Sequence, residues 1–134
     1  MWTTEHSIET TVAPDAIWRR WVAVERWPEW NADIERIELR GPFATGSTIA
    51  MTPRGQDTIE LRIGEAVEGE LFVDEATVDG NVIRTLHRID RLDGERIRVV
   101  YRLAADGPLT EQLGPAISSD FPDTLAALVE HARA

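Results

Sequence analysis

The sequence predicts an α+β fold: a run of antiparallel strands whose helices are segregated after the first strand and at the C-terminus. Three observations carry this. Residues 2–12 alternate with period two. The middle of the chain is a series of short apolar segments separated by turn signals. The C-terminal segment bears an apolar stripe at helical spacing.

Each element follows from its own pattern. Trp2, Thr4, His6, Ile8, Thr10 and Val12 share one face of the first segment, and Thr3, Glu5, Ser7, Glu9 and Thr11 the other. That is a strand with one wet face. The period then changes in "APDAIWRRWV", where Pro14 and Asp15 suit a first helical turn and Ile17, Trp18 and Trp21 have helical spacing. Pro28 interrupts the path, so "ERWPEW" reads as a second, short helical piece after a bend. Strands are expected over 33–40, 47–53, 57–67, 70–78, 81–91 and 95–104, punctuated by "GPFATG", "PRGQD", "EGE", "DGN" and "LDGE". Short connections make neighbours antiparallel.

Two hairpins can be placed in register. A two-residue Asp93-Gly94 turn would put the apolar face of 95–104 beside Arg84, Leu86, Arg88 and Asp90. A three-residue loop with Gly94 left-handed instead sets Ile97 against Ile89, Val99 against His87, Tyr101 against Thr85 and Leu103 against Ile83. The hydrophobic match selects the second, which turns His87 inward. A two-residue Asp79-Gly80 turn places Phe72, Asp74, Ala76 and Val78 on the inner face, with Phe72 opposite His87. At the C-terminus Leu109, Leu113, Ile117, Phe121, Leu125 and Leu128 form a helical stripe. Pro115 and Pro122 predict a kink or break near 115–121. One substantial helix has little bulk to cover so long a sheet, so a curved sheet around it is expected to leave a cavity.

At 134 residues the chain is expected to form one domain, residues 1–134. It has no cysteine, which removes thiol nucleophiles, thiolate metal sites and disulfides. The net charge of −10 repels phosphate backbones and anionic lipid, so neither nucleic acid nor membrane is expected as a partner. The opening residues lack a signal-peptide pattern and no apolar run approaches the ~20 residues of a membrane span. A cytoplasmic protein is the expectation. The absence of HxH, HExxH, GxGxxG and P-loop spacings argues against a metal or any cofactor. The local acid pairs Asp33/Glu35 and Glu68/Glu70 read as solvated strand ends rather than twin carboxylates for glycoside hydrolysis.

The segments "APDAIWRRWVAVERWPEWNADIERIEL", "GPFATGSTIAMTP", "HRIDRLDGERIRVVYRL" and "GPAISSDFPDTLAALV", in this order, resemble the polyketide cyclase/dehydrase-like branch of the START and pollen-allergen (SRPBCC) superfamily. The resemblance spans essentially the whole chain. It implies the helix-grip fold: a seven-stranded curved antiparallel sheet around a long C-terminal helix, with two short helices after the first strand and strand order 1-7-6-5-4-3-2. The superfamily includes lipid carriers, hormone receptors, aromatase/cyclases and chaperone activators, and has no universal catalytic motif. The tryptophan block marks the family rather than a reaction, and in such a fold it plugs the closed end.

Within that frame His87 is the sharpest candidate, facing inward near Tyr101, Thr85 and Asp74. A cyclase acting on a poly-β-keto chain must enolise one carbon and polarise a carbonyl. A histidine can move the proton and a tyrosine hydroxyl can donate to the oxygen. The plainer reading is a cavity histidine that only hydrogen-bonds. His6 is expected on the same wall as Tyr101, and His131 as a solvated helix-end residue. Phe43, Met51, Ile59, Leu61, Phe72, Leu113, Ile117 and Phe121 are expected along the cavity, with core packing as the alternative for each. Phe43 and Met51 are placed at its mouth because they lie on or beside "GPFATG". The expected ligand is a hydrophobic or aromatic small molecule. The alternative is an interaction module with a vestigial cavity, carrying a broad apolar patch and forming a stable complex or homodimer.

Overall fold

The computed structural model describes residues 1–133. The chain order is β1 (Trp2–Thr10), α1 (Pro14–Val22), a 3₁₀ turn (Val24–Glu29), β2 (Ile34–Arg40), β3 (Thr48–Pro53), β4 (Ile59–Val67), β5 (Leu71–Val78), β6 (Asn81–Arg91), β7 (Ile97–Asp106), α2 (Thr110–Ser118) and α3 (Phe121–Ala132). The seven strands form one antiparallel sheet in the order β1-β7-β6-β5-β4-β3-β2. This is the helix-grip architecture, with the C-terminal helix in two pieces.

Local chemistry explains the curvature. Register shifts interrupt the β2/β3 pairing between Ile34 and Arg36, and the β4/β5 pairing between Ile63 and Glu65. Each extra residue bends its strand and increases the twist. Gly64 occupies the second shift, and the Glu75 side chain fills the space a Cβ at Gly64 would need. Glu75 is held there by Arg84 at 3.3 Å and Arg62 at 3.8 Å.

The β5/β6 hairpin has the expected turn. Asp79 (φ 50°) and Gly80 (φ 80°) are both left-handed, Val78 pairs with Asn81, and Phe72 lies opposite His87. The β6/β7 hairpin differs by two residues from the expected pairing. Its loop is Asp93–Glu95, closed by the Leu92 N–H donating to the Arg96 carbonyl at 2.9 Å, with Gly94 at φ 66° in the centre. His87 therefore pairs with Tyr101 rather than Val99, and Ile89 with Val99. A shift of two keeps every side chain on its face, so hydrophobic matching cannot detect it.

The core lies between the concave face and the helices. Ile17, Trp21, Ile49, Ile63, Phe72, Leu103, Leu125 and Leu128 are fully buried there. Helix α1 and the 3₁₀ turn close one end with tryptophans. The Trp27 indole donates to the Trp21 carbonyl at 3.0 Å, fixing the bend between the two pieces. Helices α2 and α3 meet at Ser119–Asp120, inside the predicted break. Gly114 of α2 lies against the Trp2 ring, which a larger residue would overlap. His131 is not a freely solvated helix end. Its Nδ1 accepts from Arg20 Nε at 3.3 Å, so its Nε2–H faces Glu29 at 3.0 Å, and α3 is tied to both parts of the plug.

Trp27 is 6% exposed and supplies both ring area and a buried hydrogen bond. Trp27→Ala should lower the unfolding free energy by ~3–5 kcal/mol, measured by urea denaturation. A loss under ~1 kcal/mol would mean that the ring does not hold the plug.

Candidate functional site

A cleft of about 580 Å³ lies between the inner faces of β3–β7 and the helices α2 and α3. Its walls are apolar: Trp21 and Trp27 from the plug, Leu61 and Phe72 from the sheet, Ile117 and Phe121 from the helices. Its exposed lining residues are mostly polar: Asp33 after the plug, Arg54 and Gln56 in the β3/β4 loop, and Ser119 at the helix break, with Ala116 of α2 beside them. These mark the mouth.

A row of side chains crosses four strands on the inner face, and its Tyr101, His87 and Phe72 form the cleft floor. His6 pairs with Tyr101, Tyr101 with His87, and His87 with Phe72. The His87 ring stacks on Phe72 with centroids 3.9 Å apart and planes 4° from parallel. Tyr101 meets His87 edge-on at 4.7 Å. Two residue pairs along, on the same face, Asp74 lies opposite Thr85. Strand alternation delivers all of them to the inner face.

The hydrogen bonds assign protons. His87 Nδ1 lies 3.3 Å from the Phe72 carbonyl, which can only accept. Nδ1 therefore carries the hydrogen, and Nε2 presents a lone pair 3.9 Å from Asp74 Oδ2. The Tyr101 hydroxyl accepts from Trp21 Nε1 at 3.2 Å, which leaves its own O–H to donate elsewhere.

Burial sets the charges. It pushes the His87 pKa down to about 3, against the raising effect of the Phe72 and Thr85 carbonyls, which accept from the ring. It pushes Asp74 up to about 7, and the neighbouring Glu75 charge adds to this. The Tyr101 phenol is likewise held well above its ordinary range, chiefly by burial. A His–Asp distance of 3.9 Å is that of an ion pair. Because desolvation disfavours charge on both partners, below about pH 7 the proton sits on Asp74 rather than His87 and the pair is neutral. At the mouth Asp120 is raised to about 6 by burial and by a hydrogen bond with the Asp33 carboxyl.

Chemically, the floor combines a neutral imidazole lone pair, a protonated carboxyl and a phenol donor in apolar surroundings. Such a set can accept one proton, donate another and stabilise an oxyanion.

The structure brings His87, Tyr101, Met51, Ile59, Leu61, Phe72, Asp74, Thr85, Leu113, Ile117 and Phe121 around the cleft. Two expected lining residues lie elsewhere. His6 is not on the cleft wall, and its ring abuts the Phe121 ring with centroids 6.2 Å apart. Phe43 is not at the mouth. Its ring packs between Trp18 (5.7 Å) and Phe72 (5.1 Å), because the "GPFATG" loop folds against the plug. Sequence reasoning missed the plug's contribution: Trp21, Trp27 and Trp30 line the cleft as well as packing the core. It also missed Asp120, which comes within reach of Asp33 only through tertiary packing.

No family model matches the sequence, and no curated protein matches it. Solved structures do match in fold. The Zhui aromatase/cyclase from Streptomyces sp. R1128 is 14% identical, with a TM-score of 0.77 over 98% of this chain and 93% of that one. Norcoclaurine synthase from Thalictrum flavum, solved with dopamine and hydroxybenzaldehyde, is 12% identical, with a TM-score of 0.76 over 96% and 84%. The Aha1 dimer from Colwellia psychrerythraea is 13% identical, with a TM-score of 0.73 over 96% and 93%. The chain has the helix-grip fold that these structures share. No helix among the described residues is long and apolar enough to cross a membrane.

The neutral pair has a pH signature. Asp74, raised to about 7, binds its proton more tightly in the folded state, so its contribution to stability falls as pH rises from about 4 to 7. His87, lowered to about 3, does the reverse, and its contribution rises with pH up to about 6.5 and is lost as pH falls towards 3. The two offset each other between about 4 and 6.5. Asp74→Asn should unmask a stability that rises with pH across this window. His87→Gln should unmask one that falls, each approaching ~1.4 kcal/mol per pH unit in urea titrations. Parallel pH profiles for both variants and the parent would contradict the neutral pair.

Proposed function

We propose that this protein holds a hydrophobic or aromatic small molecule in the cleft and handles protons on it, as an aromatase/cyclase does on a polyketide-like substrate. The observation that carries the reading is the floor: His87, Asp74 and Tyr101 facing one apolar cleft of about 580 Å³. That volume is within the ~300–1,000 Å³ of small-molecule sites, and a few polar groups on apolar walls are the usual means of orienting a ligand. The fold shared with an aromatase/cyclase and with norcoclaurine synthase supports the reading by analogy.

In this reading a 1,3-dicarbonyl lies with its activated carbon over His87. The Nε2 lone pair takes the proton from that carbon, and the C–H electron pair moves into the enolate. The Tyr101 O–H donates to the developing enolate oxygen, and Asp74 returns a proton. Since Trp21 already occupies one acceptor position of the Tyr101 oxygen, the phenol proton is free for this task. Catalytic roles for His87 and Tyr101 and ligand contacts along Met51, Leu61, Phe72 and Ile117 belong to this proposal.

The alternative, an interaction module, calls for a broad apolar patch. Among the described residues the exposed large apolar side chains are Met1, Val22, Val67, Val82 and Leu109, which come from different elements. The cleft floor, rather than these residues, carries the reading of a ligand site over a docking face, although the Aha1 dimer shares the fold.

Two measurements test the proposal. N-phenyl-1-naphthylamine, a neutral aromatic probe, should bind saturably at one site and quench tryptophan emission. Ile117→Glu should weaken it at least ~10-fold, the cost of a charge in an apolar wall. Absence of saturable binding would overturn the cleft as a ligand site. Deuterium exchange at the activated carbon of benzoylacetone, followed by NMR, should exceed the buffer rate. His87→Ala should abolish the excess while leaving probe binding within ~3-fold. Exchange at the buffer rate in the parent protein would leave a carrier and remove the catalytic claim.

A further inference from the structure

A second hollow of about 260 Å³ lies on the outside of the plug, lined by Arg19, Arg20, Ala23, Arg26, Trp30 and His131. It gathers three guanidinium groups in a molecule whose net charge is −10. One carboxylate reaches them: Glu29 accepts two hydrogen bonds from Arg26, at 2.8 and 2.9 Å, and faces the His131 Nε2. Arg20 is turned towards neutral acceptors instead, donating to His131 Nδ1, the His131 carbonyl and the Ala16 carbonyl. Arg19 has no carboxylate within 4.0 Å among the described residues. Arginines at a helix C-terminus are favoured by the dipole, which accounts for one or two of them. It does not account for a third, on the 3₁₀ turn, converging on the same hollow.

We propose that this hollow is an anion site, taking the oxygens of a phosphate or carboxylate group. Guanidinium forks match such oxygens in geometry as well as charge. The Trp30 and Ala23 surfaces remove water from one side, which strengthens the attraction. Glu29 and His131 hold Arg26 and Arg20 in place, so the groups are ordered before the anion arrives. Trp30 is 7% exposed and also lines the cleft, so one residue borders both sites. The proposal stands independently of what occupies the cleft.

The test is isothermal titration of the intact chain with inorganic phosphate and, separately, with succinate, at low ionic strength against chloride controls. Arginine side-chain NMR on the same samples gives the location. One saturable site is expected, with shifts confined to Arg19, Arg20 and Arg26. Arg19→Glu should weaken it at least ~10-fold. Arg102→Glu, an exposed arginine on β7 outside the hollow, should not. Arg19 is exposed and makes no structural bond through its side chain among the described residues, so the variant should stay folded, its unfolding midpoint lowered only by the reversed charge at the helix end. Preference for phosphate or for succinate identifies the anion, and either result supports the site. A response that only follows ionic strength, or equal effects of Arg19→Glu and Arg102→Glu, would overturn it.

Discussion

The hydrogen bond from Trp21 Nε1 to the Tyr101 hydroxyl joins the plug to the floor of the sheet. Trp21 is fully buried, and an indole N–H without an acceptor there would cost ~1–3 kcal/mol. Tyr101 supplies that acceptor and so fixes the depth to which α1 enters the sheet. The same indole lies against Phe72 (5.4 Å) and His87 (5.9 Å), and the Trp21 backbone carbonyl accepts from the Trp27 indole N–H. One residue thereby positions the helix, the 3₁₀ turn and the polar row.

Space follows from the same arrangement. Bulges curve the sheet, while α2 and α3 are short and broken at Ser119–Asp120. Together they cover the concave face without filling it. The plug seals one end, so the unfilled volume lies beside His87, Asp74 and Tyr101. The apolar walls that enclose it also strip water from these groups. Burial thus determines the geometry of the floor and its protonation together: His87 neutral, Asp74 carrying the proton, Tyr101 protonated.

Much of this was legible in the sequence, for identifiable reasons. Period-two alternation placed His6, His87, Tyr101 and Phe72 inward, because alternation reports the face of a strand directly. Asp79-Gly80 defined its hairpin to the residue, because two consecutive left-handed positions have few sequence solutions. Asp93-Gly94 was less specific. Its left-handed glycine sits mid-loop, and the resulting two-residue shift, invisible to hydrophobic matching, decides that His87 meets Tyr101. The path of "GPFATG" was not legible, since loop residues carry no period. Phe43 consequently packs on Trp18 and Phe72 instead of at a mouth. His131 and the Asp33–Asp120 contact depend on packing between segments about a hundred and nearly ninety residues apart, which no local pattern encodes.

The central claim is that the floor holds a neutral His87 with its hydrogen on Nδ1 beside a protonated Asp74. Long-range ¹H–¹⁵N NMR of the imidazole nitrogens tests it most directly, because the two neutral tautomers and the imidazolium give different nitrogen shifts. The account predicts a single Nδ1–H tautomer for His87 from pH 7 down to about pH 4, since its pKa is held near 3. An imidazolium signal for His87 at pH 7, paired with an ionised Asp74, would contradict it.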